Sequence, residues 1–244
     1  MPPRPAPTHF LCIPLVTSQS RQQLVSALAS FGSDVTSPQS FGLPGEAIRP
    51  VGTLHLTLGV MSFPKNEGLD KATELLKTLA PRRILDSIIK AQTQAQETES
   101  KDMDKYKDKN MDPHQPLQQP PPLSVTLKGL HSMQPTLSKA TVLYSPPVDP
   151  DGILYKFCER IKQTFQQVGI MAEEDRPLLL HATIVNTIYV KGEKKGQEAE
   201  AATGNGGNDV PVEKIAICRM GAKKQDGGDE AYEVEAEIDM DHGQ

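Results

Sequence analysis

The amino-acid sequence predicts an α+β fold, with mostly antiparallel sheets in two similar halves. Three observations predict it. Short apolar segments with period-two alternation occur singly or in pairs between helical patterns, rather than in strict strand–helix alternation. The order strand, helix, strand appears early in the chain and a comparable order returns late. One short phrase, a histidine and a threonine two residues apart in an apolar run, stands in each half.

The elements follow in order. Residues 9–17 (HFLCIPLVT) read as a first strand. Residues 20–31 read as a helix, with Leu24, Val25, Leu28 and Phe31 at helical spacing and Gly32 as its stop. Residues 33–50 are rich in Gly, Pro and Ser and read as a loop. Residues 54–61 (LHLTLGVM) form a strand pattern. Residues 69–79 form a helix pattern with Leu69, Ala72, Leu76 and Leu79 on one side. Pro81 breaks that helix or starts the next, where Ile84, Leu85, Ile88 and Ile89 repeat the spacing.

From 91 to 122 the composition turns to Gln, Lys, Asp, Glu and Pro. Such a segment cannot bury enough apolar surface to offset its ordering entropy, so it is expected to be a disordered insert. Residues 123–130 and 140–145 read as strands. Residues 151–169 read as a helix, with Asp151 as N-cap and Gly169 as its close. Its stripe is Leu154, Phe157, Cys158, Ile161, Phe165 and Val168. Residues 179–189 (LLHATIVNTIY) read as a strand, 192–209 as a second, flexible insert, and 213–219 as a strand. In 231–240, Tyr232, Val234, Ala236, Ile238 and Met240 alternate with Glu233, Glu235, Glu237 and Asp239, as in a strand with one wet face. A single domain over 8–241 is expected, interrupted at 91–122 and 192–209.

The formal net charge is −5. A protein gripping a long nucleic acid shows a basic face, and none is evident, so any RNA ligand is expected to be short or an end. Arg82-Arg83, Lys194-Lys195 and Lys223-Lys224 read as solvated surface charge. Cys12, Cys158 and Cys218 are isolated, which suggests core thiols rather than a disulfide framework or a zinc site. No run approaches the ~20 apolar residues of a membrane helix. No signal peptide is visible, so a cytoplasmic or nuclear location is expected.

The repeated phrase carries the chemistry. It reads Leu54-His55-Leu56-Thr57-Leu58 in the first half and Leu180-His181-Ala182-Thr183-Ile184 in the second. Strand side chains alternate between faces, so His55 and Thr57 point one way and their leucine neighbours the other. Gly59 is expected on the same face as His55, leaving room beside it. His9, His114, His131 and His242 have no Ser or Thr two positions on. Two imidazoles and two hydroxyls in one cleft suit phosphoryl chemistry. A neutral His takes a proton from water or a ribose hydroxyl, its charged partner protonates the leaving oxygen, and the threonines donate to the non-bridging oxygens.

These two His-x-Thr strands resemble the signature of the 2H phosphoesterase superfamily. LHLTLGV (54–60) and LHATIVNT (180–187) look most like the phosphoesterase domain shared by activating signal cointegrator complex subunit 1 and A-kinase anchoring proteins. The resemblance covers nearly the whole chain outside the inserts. It implies a bilobal fold of two pseudo-symmetric halves around a central cleft. It also implies cofactor-free, metal-free hydrolysis of RNA-type phosphodiesters: 2′,3′-cyclic phosphates, 2′,5′ linkages or RNA 3′ ends. His55, Thr57, His181 and Thr183 match the motif one for one.

Other readings remain open. Two histidines could ligate zinc, but metal sites need three or four protein ligands and no further cluster completes one. The same cleft could hold a nucleotide or RNA end without turnover, or serve a scaffold in which the inserts recruit protein partners. Arg176, five residues before His181, is a possible phosphate contact and otherwise a surface charge. Tyr189 is expected at the core or rim. Phe10, Phe41 and Phe63 are unranked candidates for stacking on a base.

Overall fold

The computed structural model describes residues 5–101, 122–136, 140–174, 176–190 and 209–243. The chain opens with β1 (His9–Pro14), α1 (Arg21–Thr36), β2 (His55–Met61), α2 (Leu69–Thr78) and α3 (Pro81–Lys101). Four short strands follow: β3 (Ser124–Leu127), β4 (His131–Ser132), β5 (Val142–Ser145) and β6 (Pro147–Val148). Then come α4 (Ile153–Gln167) and β7 (Ala182–Asn186). The chain finishes with β8 (Val210–Pro211), β9 (Lys214–Arg219), the hairpin β10 (Lys223–Lys224) and β11 (Glu230–Ala231), and β12 (Val234–Asp239).

His55 belongs to a four-stranded antiparallel sheet in the order β12-β9-β1-β2. One face of it presents Leu11, Ile13, Leu56, Leu58, Ile215 and Ile217, all buried in the main core. β2 packs against α4 there, and β12 against α2. The other face carries Phe10, Cys12, Ala216 and Cys218, with Val60 and Tyr232 leaning on them. β1 is therefore buried on both sides, which is why HFLCIP reads as a continuous apolar run rather than an alternation. A second sheet, β4-β5-β7, leads out of the stretch that holds His181. β6-β3-β8 is a third small sheet.

The two halves are joined at a defined place. Ile48 makes an antiparallel bridge with Val185, and the Arg49 amide donates to the Ile184 carbonyl at 2.8 Å. β2 and β7 lie in contact beside this bridge.

Several boundaries differ from the expectations, each for a physical reason. α1 runs through Gly32 to Thr36, because burial of Val35 outweighs the helix cost of glycine. A Cβ at Gly32 would also press on Ile48. α3 continues to Lys101, so residues 91–101 of the expected insert are helical; Ala, Gln, Glu and Lys are strong helix formers and extend an already nucleated helix. The rest of that insert, 102–121, and residues 192–208 of the second lie outside the described residues.

The cap of α4 is Asp149, not Asp151. Its carboxylate accepts from the amides of Leu154 (3.1 Å) and Tyr155 (2.8 Å), and Gly152 at φ +67° turns the chain to allow it. α4 ends at Gln167, which leaves Val168 exposed instead of in the stripe. The strand at 179–189 is shorter than expected: β7 ends at Asn186 and a 3₁₀ turn, Thr187–Tyr189, follows. The Asn186 side chain accepts from the Ile188 amide and closes that turn.

The alternation in 231–240 is broken by a bulge between Val234 and Ala236. Val234 pairs with Cys218, whereas Ala236 and Ile238 pair with Ile217 and Ile215. Val234 thus belongs to the face of Cys218 and Tyr232, while Ala236 and Ile238 reach the core.

Candidate active site

Each histidine is held by the same local device. His55 opens β2, and its Nδ1 lies 2.7 Å from the Thr53 carbonyl oxygen. His181 stands just ahead of β7, and its Nδ1 lies 2.8 Å from the Leu179 carbonyl oxygen. A carbonyl oxygen only accepts, so Nδ1 carries the proton in both rings and Nε2 is left for chemistry. In each case the partner is the backbone two residues earlier.

The faces follow the alternation read from the sequence. Leu54, Leu56 and Leu58 are buried, as are Leu180, Ala182 and Ile184, while His55, Thr57, His181 and Thr183 are half-buried. Gly59 departs from it. Thr57 pairs with Cys12 but Gly59 pairs with Leu11, so a bulge at Leu58 turns the strand over. Gly59 therefore faces the core, where a Cβ would overlap the Met171 thioether. It admits Met171 to the core and does not share the face of His55.

The halves bring the two imidazoles within electrostatic reach. Burial is the main force on His55 and lowers its pKa to about 4. The Thr53 carbonyl opposes that shift, and the positive charges of His181 and Arg49 add to it. Arg49 is buried at the lobe junction, six residues before His55. His55 is thus a neutral imidazole at pH 7.

Aromatic rings enclose His55. The Phe10 ring lies 4.7 Å from it between centroids, and Tyr232 meets it edge-on at 5.3 Å. Phe10 and Tyr232 are 4.8 Å apart, also edge-on. Of the three phenylalanines considered, Phe10 is the one at the site; Phe63 meets His9 with tilted rings at 5.2 Å, and Phe41 lies in the loop after α1. Tyr232 and Phe10 border a cavity of about 520 Å³ that runs from His55 over the sheet face of Cys12 and Cys218, with Arg21 and Lys214 on its rim. His181 has its own ring neighbour, Tyr144, edge-on at 5.4 Å, and His131 stacks on Tyr144 at 5.8 Å.

Sequence reasoning missed Tyr232, Tyr144 and Arg49 as neighbours of the histidines. Tyr144 pairs with Thr183 across β5 and β7, a contact that only the register reveals. Tyr232 looked like one more apolar strand position, yet it sits in the break between β11 and β12. Arg176 is exposed in the segment leading to His181, and no contact among the described residues carries it to either imidazole. Among the described residues no three or more His, Cys, Asp or Glu side chains converge as a metal site, and no helix is long and apolar enough to cross a membrane.

The sequence profile of the family described as "AKAP7 2'5' RNA ligase-like domain" matches residues 7–240. An uncharacterized protein of Schizosaccharomyces pombe is 28% identical over 119 residues, covering 43% of this chain and 52% of that protein. The chain thus spans about half the length of the curated relative it matches. The fold is similar to the crystal structure of TT0787 of Thermus thermophilus, with a TM-score of 0.52 and 15% identity, covering 97% of this chain and 100% of that one. A crystal structure of a phosphoesterase is similar at a TM-score of 0.50 and 14% identity, covering 97% and 99%.

Proposed function

We propose, from the premise that this chain belongs to the AKAP7 2′5′ RNA ligase-like domain family within the 2H phosphoesterases, that it is a metal-independent phosphodiesterase acting on RNA-type phosphodiesters. The single observation that carries the reading is the contact of β2 and β7, the strands of the two His-x-Thr stretches, beside the Ile48–Val185 bridge.

His55 is the general base in this reading. It is neutral, its Nδ1–H is engaged by Thr53, and its Nε2 lone pair takes a proton from water or a ribose hydroxyl. His181, held the same way by Leu179, is the general acid that protonates the leaving oxygen. Thr57 and Thr183, each two residues from its histidine, donate to the non-bridging oxygens where charge gathers. No cofactor is required for these steps. A short RNA or a nucleotide fits the acidic overall charge. The two inserts, 91–122 and 192–209, are proposed sites for protein partners.

The test is hydrolysis of 2′,3′-cyclic nucleotides, 2′,5′-linked oligoadenylates and short RNAs in the presence of EDTA. Turnover is expected, and His55→Ala and His181→Ala are each expected to lose about 10²–10⁴-fold in kcat. Tight binding without turnover would make the cleft a binding module instead. Activity abolished by EDTA would revive a metal site.

A further inference from the structure

The stretch from Lys223 to Tyr232 reverses through Gly227 and Gly228, both at positive φ, and returns against the turn that precedes His55. Asp229 fixes it there. Its carboxylate accepts from the Arg21 guanidinium at 2.5 Å, the Gly52 amide at 3.1 Å and the Glu230 amide at 2.9 Å. Burial works to raise the Asp229 carboxyl, and the two amides and Arg21 outweigh it, leaving it below its ordinary value. The packing is close, because a Cβ at Gly52 would collide with the Glu230 carbonyl oxygen. One carboxylate thus ties together the start of α1, the 3₁₀ turn Val51–Thr53 and the hairpin.

Both ends of this latch reach His55. Thr53, next to Gly52, supplies the carbonyl that fixes the His55 tautomer. Tyr232, three residues beyond Asp229, supplies an edge of the niche and one wall of the cavity. The cavity's 520 Å³ lies within the range that holds a small-molecule ligand. Its aromatic wall and apolar floor suit a flat heterocycle, and His55 on its lining can meet an attached phosphate.

We propose that the hairpin latched by Asp229 is the specificity wall of the site: it closes a seat for the nucleobase of the substrate beside His55, with Tyr232 against the ring. This rests on the phosphodiesterase reading for its substrate, and it makes Tyr232 a specificity-determining residue and Asp229 a positioning residue.

The experiment uses the full chain with Tyr232→Leu, Tyr232→Phe, Asp229→Ala and Asp229→Asn. Two substrates are compared: adenosine 2′,3′-cyclic phosphate and methyl riboside 2′,3′-cyclic phosphate, which lacks the base. Tyr232→Leu is expected to raise KM for the adenosine substrate about tenfold, the scale of one aromatic–base stack. KM for the base-free substrate should rise far less, so that the ratio of the two reads the lost base contact, and Tyr232→Phe, which keeps the ring, should retain that ratio.

Asp229→Ala is expected to do the same and, in addition, to move the NMR-observed titration of His55 up by about one unit as water enters its niche. Asp229→Asn, whose amide oxygen can still accept from Gly52 and Glu230, should restore most of that shift. Equal effects of Tyr232→Leu on both substrates, or an unmoved His55 titration in a folded Asp229→Ala, would overturn the proposal. Wild type that turns over neither substrate would sink the phosphodiesterase reading. The latch is then decided by the His55 titration, and the seat by whether adenosine 2′-monophosphate, and not ribose 5-phosphate, perturbs Tyr232.

Discussion

An imidazole kept neutral by burial taxes the fold in acid, and His55 makes that cost measurable. Its pKa is about 4 in the folded chain against an ordinary 6.5. Between those values the unfolded chain binds a proton that the folded chain does not. Stability is therefore fully present above pH 6.5 and is lost as pH falls toward 4, by up to about 1.4 kcal/mol per unit and roughly 3 kcal/mol in all. His9 pulls the same way. It is fully buried, and burial and then the Arg219 charge lower its pKa. Among the described residues its Nε2 has no hydrogen-bond partner, although Glu235 lies 3.5 Å away. The melting temperature is expected to fall between about pH 7 and 4.5, and to fall less in His55→Gln. In wild type, kcat/KM should rise through a limb near pH 4. A melting profile equally steep in His55→Gln would mean that its imidazole is not the one held neutral.

Among the elements, α4 tests how far a cap can be read from sequence. Asp149 serves two amides at its start, so Asp149→Ala should cost about 1 kcal/mol, and Asp151→Ala close to nothing. Chemical denaturation of the two variants separates them. Asp151 looked like the cap because it stands nearest the first residue of the apolar stripe, Leu154, whereas Gly152 adopts a left-handed turn that hands the role back to Asp149. The faces of His55-x-Thr57 and His181-x-Thr183 were legible for the opposite reason. Period two is a property of the strand itself, and the buried leucines on the far side enforce it. Gly59 and Val234 were misplaced because a bulge shifts that period by one residue and leaves no local signature. Tyr232 and Asp229 were invisible because their partners, Phe10 and Arg21, lie more than half the chain away.

At the level of the whole molecule, the meeting of the two histidines rests on residues 48–49 and β7, and on one core that spans both halves. Residues 102–121, outside the described residues, interrupt the chain between α3 and β3. Replacing them with a Gly/Ser linker of about ten residues should change stability by only about 0.6 kcal/mol, the closure entropy of halving a loop. Thermal melting and kcat together check this, and a collapse of either would give the segment a structural role. That the halves pair at all was inferable from the repeated phrase, but the place where they join was not, since Ile48 and Arg49 belong to a stretch read as plain loop.

The strand order β12-β9-β1-β2 also has a consequence for how the chain is made. β1 and β2 leave the ribosome well before β9 and β12, on which the sheet they belong to depends. Until those arrive, the apolar pair waits with one open edge and a bare face, a surface that invites chaperones or neighbouring chains. Among the described sheets, the one that carries His55 is begun earliest and completed latest, and pairing across so long a separation predicts slow, late acquisition of activity during synthesis.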